Sequence, residues 1–403
     1  MTVITTVAQL QDMDLDLTGD YELGCNIDAS ATVGWNGGLG FEPIGTGVDF
    51  TGRFDGKGFT INGLFINRPA IGSVGLFGVI DGVTISSVTL ANIDITGKYL
   101  TAGLVGCTQG IVAISNCHVG GSIKAFNSSG EVGGIIGCSY GTLAISACSV
   151  DGSIGIHDYV DSMGGIIGQN RANLIITNSY SNASVIGDDY VGGLIGISGW
   201  GGIVNMKRCF SIGDVTGHSW GAGGLIGDSY HVNDSITDCY ARGDIVGDEG
   251  VGGAFGSFYN GTYGNVYSTG AVIGNTDVGG LHGYGGGTEE ITPCFWDTQT
   301  SGQAASVGGT GKTTAEMKAI ATILEAGWSI PSIWNISLGC NSGYPCLVGV
   351  NACCGDSAVA GVDPTIAPKC VTLELIRNLE MMNNSRGYIS KTGNFVYESR
   401  YHR

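Results

Sequence analysis

The sequence predicts an all-β chain wound as a right-handed parallel β-helix, a β-solenoid of about eight to ten coils. Three observations carry that expectation: the glycine content, a six-residue motif that returns at near-constant spacing, and the shortness of the apolar runs between turn residues. Glycine supplies 73 of 403 residues and proline only 7, while apolar residues make up 43% and charged residues 13%. Disorder needs low hydrophobicity and high charge, so a chain this apolar must fold, with many tight turns or close backbone approaches.

The motif reads small or apolar, Gly, Gly, apolar, apolar, Gly. It occurs as SVGLFG, TAGLVG, VGGIIG, MGGIIG, VGGLIG, AGGLIG, VGGAFG and VGGLHG. Its central glycines are Gly75, Gly103, Gly134, Gly165, Gly193, Gly224, Gly253 and Gly280, spaced by 28, 31, 31, 28, 31, 29 and 27 residues. A second element follows each copy, as in ISNCHVGGSI, ISACSVDGSI, MKRCFSIGDV and ITDCYARGDI. Each unit thus holds several strands of about four to six residues between Gly, Asn, Asp and Ser turns. One unit cannot bury its apolar face alone, whereas stacked units close a continuous core. A propeller blade needs about 40 residues, so these units suit three short strands per coil. The glycines are expected to serve positive-φ corners and close contact between coils.

The VGGLIG-type and NCY-type elements, with the opening YELGCNIDASATVGWNGGLGFEPIG and FTGRFDGKGFTINGLFINRP, resemble the GLUG-motif repeat proteins of bacterial surfaces and phages. The resemblance runs over residues 3 to 350 and implies an adhesin-type β-solenoid. Some family members flank a zinc peptidase; no HExxH occurs here, so that activity is not carried over.

The expected organisation is an N-terminal cap with the first coils over 1–65, glycine-motif coils over 66–295, a C-terminal cap over 296–354, and a linker with a small helix-hairpin segment over 355–403. Thr313 and Glu316 form a capping box, and Met317, Ile320, Ile323 and Leu324 follow at helical spacing, predicting one helix over about 314–326. VTLELIRNLEMM predicts a second helix and GYISKTGNFVYES a hairpin; this last segment resembles a piece of phage tail proteins.

Thirteen cysteines follow the period more than any disulfide pattern. Cys117, Cys148, Cys209 and Cys239 share one repeat position, with Cys294 continuing the row, and Cys107 and Cys138 share another. A ladder of stacked, unpaired thiols explains this, since free cysteine packs as a small hydrophobe. The alternative is a pair of intra-coil bridges, Cys107–Cys117 and Cys138–Cys148, because the next coil replaces both positions by Gln169 and Ser179. Cys340, Cys346, Cys353, Cys354 and Cys370 lie outside the repeat and lack the paired spacing of a zinc site.

A net charge of −18 repels phosphate backbones and anionic lipids, which excludes nucleic acid as a partner. Membrane insertion is excluded because no run of about 18 apolar residues exists. The first residues lack the pattern of a secretory signal. SVGGTGKTT lacks the first glycine and preceding strand of a phosphate-binding loop. GCSYG and GHSWG match the nucleophile elbow in letters but continue into β-repeat rather than helix. Aspartates such as Asp188, Asp189, Asp214 and Asp244 fall at turns with few basic neighbours. The expectations are therefore no enzyme, no cofactor and no metal.

Two aromatic rows remain for function. Tyr140, Arg171, Trp200, Tyr230 and Tyr259 lie about six residues beyond the central glycines, and Tyr99, Tyr159, Tyr190 and Trp220 lie before them. Such rows suit sugar rings or protein partners. A third row, Tyr180, Phe210, Tyr240, Tyr267 and Phe295, reads as structural packing. The expected role is a displayed structural and attachment protein on a phage tail or other virion structure, binding a host glycan or protein receptor beside other virion or surface subunits or copies of itself. A bacterial cell-surface adhesin and a polysaccharide-cleaving β-helix enzyme are the alternatives.

Overall fold

Each repeat supplies strands to three stacks. In one repeat, Glu131–Gly133 joins a first face, Ile136–Ser139 a second, and Thr142–Ser146 with Ser149–Ile156 a third. The first two faces are sheets of eight parallel strands each, and the third is continuous with a sheet of 25. The computed structural model describes residues 1–351 apart from 127–129, 157–160, 232 and 338. It is a β-solenoid of about nine turns. The helix and hairpin expected beyond residue 355, with Cys353, Cys354 and Cys370, lie outside the described residues.

Register follows the repeat. Glu131 pairs with Ser162, Ile136 with Ile167 and Leu143 with Leu174, each at the same place in successive coils. The motif's apolar pair points inward, so that Ile135, Ile136, Ile166, Ile167, Leu194, Ile195, Leu225 and Ile226 are completely buried. Each such side chain contributes about 2 kcal/mol of transfer free energy, against the entropy of ordering.

The central glycines stack on one another. A Cβ on Gly134, Gly165, Gly193, Gly224 or Gly253 would stand 2.4, 2.1, 2.1, 2.3 or 2.2 Å from the carbonyl oxygen of the central glycine one coil on. Close approach is therefore their whole role. None of the eight adopts positive φ, contrary to expectation. Positive φ falls instead on glycines outside the motif, such as Gly110, Gly141, Gly201 and Gly221, and on non-glycine residues, and the bend midway along the third face runs through Asn116, Ala147, Asn178, Arg208, Asp238 and Asn265, with φ between 49° and 57°. Asn and Asp tolerate this region best because their side chains bond locally.

The residue after each bend is the cysteine row. Cys117, Cys148, Cys209, Cys239 and Cys294 are buried free thiols, each donating to the carbonyl two residues earlier at 3.2–3.4 Å. Ser179 makes the same bond at 2.9 Å. The coil before donates a backbone N–H to this row, Cys148 to Ser179 Oγ at 3.1 Å and Cys209 to Cys239 Sγ at 3.4 Å. Cys107 and Cys138 are also free and pair in register on the second face. They face Glu131 and Arg171, whereas Cys117 and Cys148 face the core, so the intra-coil bridges are ruled out by direction. Iodoacetamide should leave all four unmodified in the native protein and modify all four after denaturation without reductant. Peptide mapping that finds any of them still blocked would restore the bridges. Cys340 and Cys346 are disulfide-bonded.

Residues 1–65 extend the third face without the glycine motif, Thr2–Ile4 stacking on Asp20–Leu23, then Arg53–Asp55, then Thr84–Ser86. At the other end Thr310–Lys312 pairs with Phe295–Asp297 and closes the stack. The described residues between Thr313 and Asn351 form a strap packed along the side of the solenoid. Tyr180, Phe210, Tyr240 and Tyr267 stack at 4.7, 4.8 and 5.0 Å with nearly parallel rings. Over the stack lie Met317, Ile323, Trp328, Trp334, Tyr344 and Leu347. Trp334 donates to Asp238 at 3.1 Å, and Asn351 donates to Tyr240 at 2.6 Å. The single helix expected over 314–326 is two, Thr314–Met317 behind its capping box and Ile320–Glu325. Met317 and Ile323 are buried, whereas Ile320 and Leu324 are exposed.

Candidate binding groove

The residue after the third motif glycine forms a row on the second face: Cys107, Cys138, Gln169, Ile197, Asp228, Ser257 and Tyr284. It lies between the two predicted aromatic rows; the spacing aligns Cys107, Cys138 and Gln169, and the row continues through Ile197, Asp228, Ser257 and Tyr284.

On one side stand the expected residues of the first row. The Arg171 guanidinium lies 5.4 Å from the Tyr140 ring centre and 5.0 Å from that of Trp200, and Trp200 meets Tyr230 edge to face at 5.6 Å. Arg171 Nε donates to Gln169 Oε1 at 2.6 Å and Nη1 donates to the Tyr140 hydroxyl at 3.0 Å. Arg171 is thereby fixed as a platform between two rings. Tyr140, Trp200 and Tyr230 are exposed, Trp200 the most at 61%. Tyr259 is separated from Tyr230 in this chain of contacts and meets Tyr284 instead, at 5.6 Å.

From the other side come Glu131, Tyr190 and Trp220. Glu131 lies 3.6 Å from Arg171, and Trp220 meets Tyr284 at 5.1 Å. Tyr190 lies in the electrostatic field of Asp228 and shares that neighbour with Tyr230. Two rows that are separate in the sequence thus flank one axial row of the second face. Tyr159 of the second row lies outside the described residues.

The groove is acidic. Burial pushes the Glu131 carboxyl up to about 7, with Arg171 opposing and Asp161 adding to the shift. Burial lifts Asp228 to about 6, with Ser257 and the Ser229 amide opposing. Asp161 is likewise raised to about 6, first by burial and then by Asp189 and Asp188. Oxygens of Asp161, Asp188 and Asp189 lie within 4.8 Å of one another. Glu131 and Asp228 were legible in principle: each breaks a repeat position held mainly by uncharged residues in neighbouring coils.

The motifs that match catalytic loops only in letters have local structural work. Ser139 of GCSYG is buried, donating to Asn170 Oδ1 at 2.9 Å. Ser306 of SVGGTGKTT accepts the His282 amide at 2.9 Å, tying the loop onto the last coil.

No family model matches the chain. Halomucin of Haloquadratum walsbyi is 42% identical over 135 residues, which is 32% of this chain and 1% of halomucin. A provisionally named Gly-rich membrane protein of Evansella cellulosilytica is 36% identical over 115 residues, 27% of this chain and 13% of that protein. The matches therefore span a small part of both relatives. Among solved structures, a provisionally described immunoglobulin A1 protease from Bacteroides ovatus aligns over 86% of this chain and 91% of its own, at 20% identity and TM-score 0.48. An IgA1 protease aligns over 89% of this chain and 26% of its own, at 16% identity and TM-score 0.45. Both bear an enzyme's name, and the expectation that this chain is not an enzyme is withdrawn on that finding. At these identities and TM-scores the likeness transfers no catalytic residue.

Proposed function

We propose that the chain is a surface-displayed β-solenoid that attaches to a glycan or protein receptor through the groove centred on Trp200. The observation that carries this reading is the backbone of Trp200 itself, a bulky residue held at φ 52° while its side chain stays 61% exposed. A left-handed conformation costs about 1–2 kcal/mol for a residue with a Cβ, and an exposed indole recovers little of that through burial. Backbone strain kept at a side chain that stays largely in solvent motivates a functional reading. Tyr190, on the opposite side of the groove, is the other aromatic residue among the described positive-φ positions, at φ 54°.

The setting we favour is the outer boundary of a cell, supported by the names of the relatives, one a mucin and the other a membrane protein. Kinship with the GLUG-motif repeat proteins belongs to the same proposal, and the stacked motif glycines support it. Immunodetection on intact cells against purified virus particles decides between this setting and a virion mount.

Trp200→Gly separates binding from packing. It relieves the left-handed strain, so the melting temperature should stay level or rise, while attachment to intact envelopes or to a panel of immobilised neutral, anionic and amino-bearing glycans should fall at least about tenfold. Unchanged attachment, or a large loss of stability, would overturn the reading.

A further inference from the structure

Asp228 is a buried carboxylate whose charged form the neighbouring Ser257 hydroxyl and Ser229 amide only partly favour. It is 6% exposed, yet its Oδ1 has no hydrogen-bond partner among the described residues. A buried carboxylate oxygen left unpaired is costly, because desolvation is not recovered by a bond. The position does not require a carboxylate, since its neighbours in register are Ile197 and Ser257. The phenols of Tyr190, Tyr230 and Tyr259 lie within its field; each is raised above its ordinary pKa first by burial and in smaller part by Asp228.

Resting on the attachment reading above, we infer that Asp228 determines the ligand class of the groove, and that the occupant is a polysaccharide bearing free amino groups, one of which pairs with the Asp228 carboxylate. The missing partner of Oδ1 must be a donor, and a charged donor forms the stronger bond to a carboxylate. The nearby Glu131, Asp161, Asp188 and Asp189 disfavour an anionic chain and favour a cationic one. Rings on successive coils recur at about 4.8 Å along the axis, which suits consecutive sugar rings of an extended chain lying along Trp200 and Tyr230. The phenols of Tyr190 and Tyr230 lie within the field of the carboxylate.

The test is calorimetric titration of the full chain with three probes: glucosamine oligomers, the same oligomers N-acetylated, and oligolysine. The native protein should bind the free-amine oligomer at least about tenfold more tightly than the acetylated one. Asp228→Asn, which keeps the shape, should abolish that preference with its melting temperature no lower than the native value. The preference should also weaken as pH falls from about 7 to about 5, because Asp228 then takes up a proton. The groups facing it are Tyr190, Tyr230, Tyr259 and Ser257, with Asp161 and Asp189 beyond Tyr190 and Arg171 beyond Tyr230. Asp161 titrates in the same range, so the part of the pH effect lost in Asp228→Asn is the part assigned to Asp228. Equal binding of both sugar oligomers, or an unchanged preference in Asp228→Asn, overturns this inference and leaves the Trp200-dependent attachment standing. Oligolysine binding that exceeds that of the sugar and depends on Asp228 overturns the polysaccharide assignment. Loss of attachment to every surface tested, or attachment that ignores Trp200, removes the broader reading instead.

Discussion

Gly193→Ala should destabilise the chain by more than about 4 kcal/mol and deprive it of a cooperative urea transition. The added methyl would stand 2.1 Å from the carbonyl oxygen of Gly224 and 2.4 Å from Ser211 Oγ. Neither the carbonyl nor its coil can give way, because the same coil is hydrogen-bonded above and below and its own glycine is packed as tightly on Gly253. Inserted volume in a close-packed interior normally costs about 1–3 kcal/mol when side chains can shift; here the obstacle is backbone. Gly72→Ala is the control, since nothing lies within 4 Å of a Cβ at that position, and it should change stability by no more than about 0.5 kcal/mol. Matching urea midpoints for Gly193→Ala and the unsubstituted chain would show that the glycines do not set the spacing of the coils.

Trp334→Ala should cost about 3–5 kcal/mol, the range for deleting a buried large aromatic side chain. The indole is fully buried between Tyr240, Tyr267 and Trp328, with ring centres 6.3, 5.9 and 4.8 Å away, and it donates to Asp238. Its loss removes area, leaves a cavity and orphans a hydrogen bond to a carboxylate. The strap meets the solenoid through side chains rather than through a continued sheet, so the damage should be local at first. Limited proteolysis should cut within residues 313–351 sooner than elsewhere, and a hydrophobic dye should bind the uncovered Phe210, Tyr240 and Tyr267 rings. Cleavage and melting temperature both unchanged would mean that the strap does not depend on this contact.

The architecture was legible because its information is periodic. Gly134, Gly165 and Gly193 carry the same contact once per coil, and Cys117, Cys148 and Cys209 carry another, so the spacing in the sequence is the stacking in space. The same periodicity identified Tyr140, Arg171, Trp200 and Tyr230 as a row, and Tyr180 to Phe295 as a packing stack. It misled where one residue type can serve two purposes. The motif glycines suit positive-φ corners as well as close contact, and only the contact is real. Ile320 and Leu324 have helical spacing with Met317 and Ile323 but point to solvent, because the chain breaks its helix at Lys318 and Ala319.

The sequence by itself determined the period, the number of faces the period could support, and which residues become vertical neighbours, because parallel stacking in register turns a fixed separation along the chain into a fixed contact. Only the tertiary structure decided how the faces meet one another and what covers them. The approach of Tyr190 and Trp220 to the Asp228 row, and the closing of the strap over Tyr240 and Tyr267, join residues whose separations do not repeat. Such contacts depend on the direction of each side chain around the coil, a quantity that spacing along the chain does not encode.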